Sequence, residues 1–300
     1  MTITRRIHRV MTSKPTLEGA GVHLRRGFGF GDTSLTDPFL LLDDFRGDSP
    51  ELYEKGFPWH PHRGIETITY MLAGRVEHGD SMGNSGLITK GDVQWMNSGS
   101  GIIHQEMPKG DPDGRMEGFQ LWANLPRVAK MSKPNYQEVK SGDIPEVELE
   151  NGVKVRVVCG EVKGNKGPVK DVAIAPQYLD VSIPAAKTFI LPTPADHTAI
   201  AYVYEGGGIF CGEVDPFAYE HEGLNYFDTH RDAVQGNHTV IIFEQGDQIE
   251  VAGGSEGVRF LFFSGKPLHE PVAWYGPIVM NTEEELRIAF DELNSGTFIK

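Results

Sequence analysis

Two short stretches of this chain carry metal-binding residue types at the spacing that strands need. In GFPWHPHRGIETITYMLAG, residues 56–74, His60 and His62 flank Pro61. Side chains alternate along an extended backbone, so residues two apart project to one side, and the proline stiffens that geometry. In SGSGIIHQEMP, residues 98–108, His104 and Glu106 stand at the same i, i+2 spacing, with Gln105 turned away. Two strands offering two ligands each can converge on a single ion. Three neutral imidazoles and one carboxylate form a borderline-hard donor set that suits iron(II), manganese, nickel, cobalt or zinc. Four protein ligands leave two octahedral positions for water, oxygen or substrate, whereas with zinc the same four could close a structural site. Glu66, four residues after His62, is an alternative to Glu106 as a ligand, or a partner of the ligands. An isolated histidine is usually an ordinary surface or core residue, and His8, His23, His78, His197, His221, His230, His238 and His269 are read that way.

The elements that must position these residues read as strands. Residues 67–72, 87–89, 93–96, 118–122, 154–158, 199–204, 239–243 and 259–263 are rich in β-branched and aromatic residues and are bounded by turn signals, as in a sandwich or barrel. MTITRRIHRV reads as a first strand. The glycines near the histidine pairs, among them Gly64, Gly99 and Gly101, read as tight turns needing positive φ. Trp59, Trp95 and Trp122 could line a pocket for a flat aromatic ligand, although in a small barrel such residues are more often core. One helix closes the chain: Thr282 and Glu285 form a capping box, Leu286, Ala289, Phe290 and Leu293 recur at helical spacing, and Asn294-Ser295-Gly296 ends it. Its apolar side is expected to pack on a barrel.

The chain also repeats itself. TITYMLAG at 67–74 matches AIAYVYEG at 199–206, and KGDVQWM at 90–96 matches QGDQIEV at 245–251. Two copies of one small barrel are expected, residues 1–134 and 135–300, with the boundary in the polar stretch around Met131–Asn135 and the helix in the second copy. The composition fits a globular protein: 300 residues, 39% hydrophobic and 23% charged, enough for about two domains. A net charge of −14 disfavours binding to phosphate backbones. Two cysteines, Cys159 and Cys211, are a weak basis for a disulfide framework and suit a reducing compartment, so the cytoplasm is expected. No apolar run reaches the length of a membrane span.

HPHRGIETITYMLAG followed by GDVQWMNSGSGIIHQEMP, with DPFLLLDDF at 37–45, resembles the pirin family of the cupin superfamily, most strongly over residues 20–125. The resemblance implies an all-β bicupin, two tandem cupin-type β-barrels with a C-terminal helix. It implies iron in the first barrel, held by His60, His62, His104 and Glu106. In the second copy the matching positions near 192 and 194 are both proline, so that barrel is expected to hold no metal. It also implies an activity of the quercetin 2,3-dioxygenase type. A flavonol would give up its hydroxyl proton, with Glu106 the natural base; dioxygen would then add across the ring, and carbon monoxide would leave. The alternative it carries is a non-enzymatic, iron- and redox-sensing protein that regulates a protein partner, in the nucleus if the source is eukaryotic. A plainer third reading has the metal only staple the barrel. The partners expected are thus a flavonol-like aromatic substrate and dioxygen, with a protein partner under the second reading, and neither nucleic acid nor membrane.

Overall fold

The computed structural model describes residues 2–223 and 231–300, and the statements below refer to those residues; His230 lies outside them. Apart from short turns and one helix of any length, the chain is strand. It forms two compact units. One comprises Met1–Ser13 with Ile144–Pro267, the other Lys14–Asp143 with Leu268–Lys300. The boundary at 143/144 lies beyond the expected 134/135, and the two chain ends are exchanged between the halves. Edge pairing accounts for the first exchange: strand Ile7–Thr12 runs antiparallel to Thr239–Phe243 and satisfies its backbone groups. Apolar packing accounts for the second. Leu286 and Ala289 of the helix are buried with Ala273, Ile278, Met280 and Phe298, and Ile103 packs against them.

The unit holding residues 14–143 is built on two antiparallel sheets. In the larger, the spatial order is Asn135–Val139, Val93–Asn97, Ile65–Ala73, Glu117–Asn124, Phe39–Asp44, Val22–Phe28 and Lys14–Glu18. In the smaller it is Phe57–His62, Ile102–Lys109, Arg75–Asp80 and Ser85–Thr89. Val22, Leu24, Phe45 and Met71, on or beside strands of the larger sheet, share a buried cluster with Val76 and Ile88 of the smaller. That shared core fixes which faces of the two sheets look inward, and the inward face of Phe57–His62 and Ile102–Lys109 carries the histidines.

The closing helix, Glu283–Ser295, has the expected caps. Thr282 Oγ1 accepts from the Glu285 amide at 3.2 Å, Glu285 Oε2 accepts from the Thr282 amide at 3.0 Å, and Gly296 ends it at φ 75°. No helix among the described residues is long and apolar enough to cross a membrane. No disulfide joins Cys159 and Cys211.

The other unit is a sheet of ten strands around an apolar core that includes Val155, Leu179, Phe260 and Phe262. Its topology bears on the repeat. Ile65–Ala73 lies between Val93–Asn97 and Glu117–Asn124, with Tyr70 opposite Val93 and Phe119. Thr198–Phe210 lies between Thr239–Phe243 and Gln248–Gly265, with Tyr202 opposite Val240 and Leu261. The first matched pair of segments is thus equivalent in place. The second is not: the counterpart of the strand in KGDVQWM is Thr239–Phe243, whereas QGDQIEV opens the following strand. Gly-Asp marks a turn before either strand, so the local signal does not distinguish them.

Candidate metal centre

Phe57–His62 and Ile102–Lys109 pair antiparallel, with His60 opposite His104 and His62 opposite Ile102. Alternation then sends His60, His62 and His104 to one side. Their ring centroids are 4.9 Å apart for His60 and His62, 4.3 Å for His60 and His104, and 5.0 Å for His62 and His104. One ring nitrogen from each lies within 4.8 Å of the others. Glu106, on the same face as His104, is outside that group of donor atoms; its Oε1 accepts a hydrogen bond from Thr69 Oγ1 at 3.2 Å.

The hydrogen bonds set the tautomers. His60 Nδ1 is 2.9 Å from the Pro58 carbonyl and His62 Nδ1 is 3.0 Å from the Pro277 carbonyl. A carbonyl only accepts, so each neutral ring carries its proton on Nδ1 and bares a lone pair at Nε2. Those two Nε2 atoms face each other at 3.1 Å. Both ring nitrogens of His104, a fully buried residue, have no hydrogen-bond partner. Facing lone pairs and an orphaned buried imidazole are costly alone and are resolved by a cation between them, so these residues fit a divalent metal.

Electrostatics agree. Burial lowers the pKa of His60, and it holds His62 and His104 well below the ordinary histidine value, helped by the neighbouring imidazoles. Neutral rings are the ligand form. Burial also pushes the Glu106 carboxyl up to about 7, with the Thr69 hydrogen bond pulling the other way.

A cavity of about 720 Å³ opens onto His60, His62 and Glu106. Trp122 and Trp274 line it, and Trp122 meets His62 edge-on at 5.0 Å between ring centres. At another part of the wall Arg26 is paired with Asp43 at 2.8 Å, and burial raises the Asp43 carboxyl to about 6. Of the three tryptophans considered from sequence, Trp122 lines the cavity, Trp95 is buried in the core, and Trp59 is half exposed and not part of the lining. Glu66 is buried on the opposite face of its strand from Thr69, which points at Glu106.

Several participants are not evident from the sequence. His78, read as ordinary, is buried with its ring 5.4 Å from His104 and its Nε2 3.4 Å from Asp80. His78 and Asp80 are again an i, i+2 pair on a strand, a signal that could have found them. Thr69 contacts Glu106 and lies 2.7 Å from Gln120 Oε1. The Pro277 carbonyl had no signal, being a backbone atom 215 residues from its partner.

The equivalent ladder of the other unit, Thr188–Pro192 against Gln248–Ala252, is different inside. Its inward pairs are Phe189 with Val251 and Leu191 with Ile249, all buried. The positions matching His60 and His62 are thus Phe189 and Leu191, not the prolines at 192 and 194, because Pro192 is on the exposed face and Pro194 lies past the strand. Apolar side chains offer a cation no donor.

Comparison with known proteins places these features. The Pirin family model matches residues 21–123, and the model for the Pirin C-terminal cupin domain matches residues 178–299. A pirin-like protein of Caulobacter vibrioides is 41% identical over 98% of this chain and 99% of its own length. Pirin-1 of Arabidopsis thaliana is 38% identical over 97% of this chain and 93% of its own. The crystal structure of a quercetin 2,3-dioxygenase from Acinetobacter baumannii superposes with a TM-score of 0.84 at 32% identity, covering 99% of both chains.

Proposed function

This chain belongs to the pirin family, a bicupin family, and on that premise we propose that it is a metal-dependent dioxygenase opening the ring of quercetin or a related flavonol. His60, His62, His104 and Glu106 are its metal ligands in this reading, iron(II) is the ion, and Glu106 is also the base. The observation that carries the reading is the convergence of three neutral imidazoles beside a buried carboxyl, on a cavity sized for a flat aromatic molecule. The likeness to the Acinetobacter baumannii quercetin 2,3-dioxygenase supports the substrate class.

A divalent ion bound there supplies Lewis acidity toward an ionised hydroxyl oxygen. The rest is the work of the chain. Glu106, a buried carboxyl lining the cavity beside the histidines, is placed to accept the flavonol hydroxyl proton and to hold it on a carboxyl oxygen. Thr69 Oγ1 donates to Glu106 Oε1 and so orients the carboxylate. Trp122 and Trp274 present apolar ring surface to a planar ligand and keep water from the reacting face. The carbonyls of Pro58 and Pro277 keep both Nε2 lone pairs turned inward.

Iron-loaded protein is expected to consume dioxygen and quercetin in step, and His62→Ala to stop both. Turnover that persists in thoroughly metal-stripped protein would sink the proposal.

A further inference from the structure

The second histidine of the site is held from outside its own sheet. The arm of residues 268–300 folds back onto the turn that follows His62. The Val279 amide donates to the Arg63 carbonyl at 3.1 Å, and Ile278 bridges Arg63 in parallel. Gly64 takes φ 79°, and a Cβ there would stand 2.0 Å from the Val279 carbonyl oxygen, so arm and turn are in direct backbone contact. Between them sits a buried lysine. Lys130 Nζ donates to the Gly64 carbonyl at 2.9 Å, the Val279 carbonyl at 3.0 Å and Asn124 Oδ1 at 2.6 Å. In its protonated form the amine has three N–H groups and all three are used, against a burial that lowers its pKa to about 7. Arg63, also buried, reaches further along the arm, to Glu292 at 2.7 Å and the Phe298 carbonyl at 2.9 Å.

We propose that Lys130 is a positioning residue of the metal centre: by clamping Gly64 to Val279 it sets the Pro277 carbonyl against His62 Nδ1 and so aims His62 Nε2. The inference rests on the reading of His62 as a metal ligand. Burying an ammonium is expensive unless every proton is bound. A latch required only to hold the arm could use apolar contact, which the helix already provides through Leu286 and Ala289. Lys130 instead joins the carbonyl two residues after His62 to the carbonyl two residues after Pro277, so it fixes both ends of the His62–Pro277 hydrogen bond.

The test uses the full chain with Lys130→Met, of similar length but unable to donate, and Glu292→Gln, which weakens the Arg63 tie. Metal-free protein is examined by long-range proton–nitrogen spectra of the imidazoles, then titrated with cobalt(II) while its absorption is recorded. In the wild type His62 should hold its proton on Nδ1. In Lys130→Met it should become a mixture of tautomers, the cobalt spectrum should change, and affinity should fall about 10- to 100-fold, as for other groups that orient metal ligands. Glu292→Gln should shift the same readouts with a smaller loss, about 3- to 10-fold. A lower melting temperature with tautomer, spectrum and affinity unchanged overturns the proposal and leaves Lys130 a staple of the fold. If Lys130→Met does not fold, unchanged readouts in Asn124→Ala, which removes one of the three acceptors that hold Lys130 Nζ, overturn it equally. A wild type that takes up no cobalt, while its His62 tautomer still answers to Lys130→Met, overturns the metal reading and upholds the latch.

Discussion

The two ladders, Phe57–His62 against Ile102–Lys109 and Thr188–Pro192 against Gln248–Ala252, differ in what they point inward. One pairs His60 with His104; the other pairs Phe189 with Val251. Backbone pairing of the same kind thus serves a polar pocket in one unit and a closed apolar core in the other, and chemistry resides in a few inward positions rather than in the fold. The polar ladder bears a cost for this. His104 is buried without hydrogen-bond partners and Glu106 is buried with a raised pKa, whereas Val251 and Phe189 simply pack.

Exchanging residues between the ladders is the strongest way to break the comparison. Val251→His should cost about 3 kcal/mol in thermal or denaturant unfolding, because it places an unpartnered polar ring in a packed core. His104→Leu should do the reverse. It should abolish metal uptake yet stabilise the metal-free protein by about 1 kcal/mol, since an unsatisfied polar group is removed. If both substitutions destabilise alike, the polar interior is not the distinction between the two ladders.

Acidity sharpens the contrast next. Below a pH of about 7 a proton competes with metal at Glu106, while the buried histidines stay neutral, so affinity should fall about tenfold per pH unit between pH 7 and 5.5. Stability of the metal-free protein should respond with the opposite sign. A raised carboxyl pKa favours the protonated folded state, so this contribution is present at low pH and is lost as pH rises toward about 7. Melting curves of wild type against Glu106→Gln isolate it. A metal affinity flat across that range would remove Glu106 from the ligand set.

Smaller effects belong to the arm, for which the other ladder has no counterpart among the features described. Trp274→Ala should raise the flavonol KM about fivefold to tenfold with metal content unchanged, as one aromatic wall of the cavity is lost. Thr282→Ala should cost about 1 kcal/mol by removing the helix cap, and a melt reads it directly.

What could be read beforehand was local. The helix with both its caps and the core strands follow from short-range pattern, and the i, i+2 pairs made His60, His62 and His104 visible before any fold was known. What could not be read was contact between distant segments. Pro277 offers only a backbone carbonyl, Trp274 lies far along the chain from the site it borders, and Lys130 sits just before the stretch that reads as a polar linker. The exchange of chain ends was equally hidden, since edge pairing of Ile7–Thr12 depends on a strand more than two hundred residues away. The second half of the repeat misled because Gly-Asp turns recur before many strands.

That exchange has a consequence for biosynthesis. Residues 268–300 are translated after the whole of 144–267, so a nascent chain has exposed all the histidines of the site well before Pro277 leaves the ribosome. Until then His62 has no carbonyl to choose its tautomer. A cation captured early meets a looser set of donors than one captured after release, and the timing of delivery relative to chain completion becomes a variable in which ion the mature protein keeps.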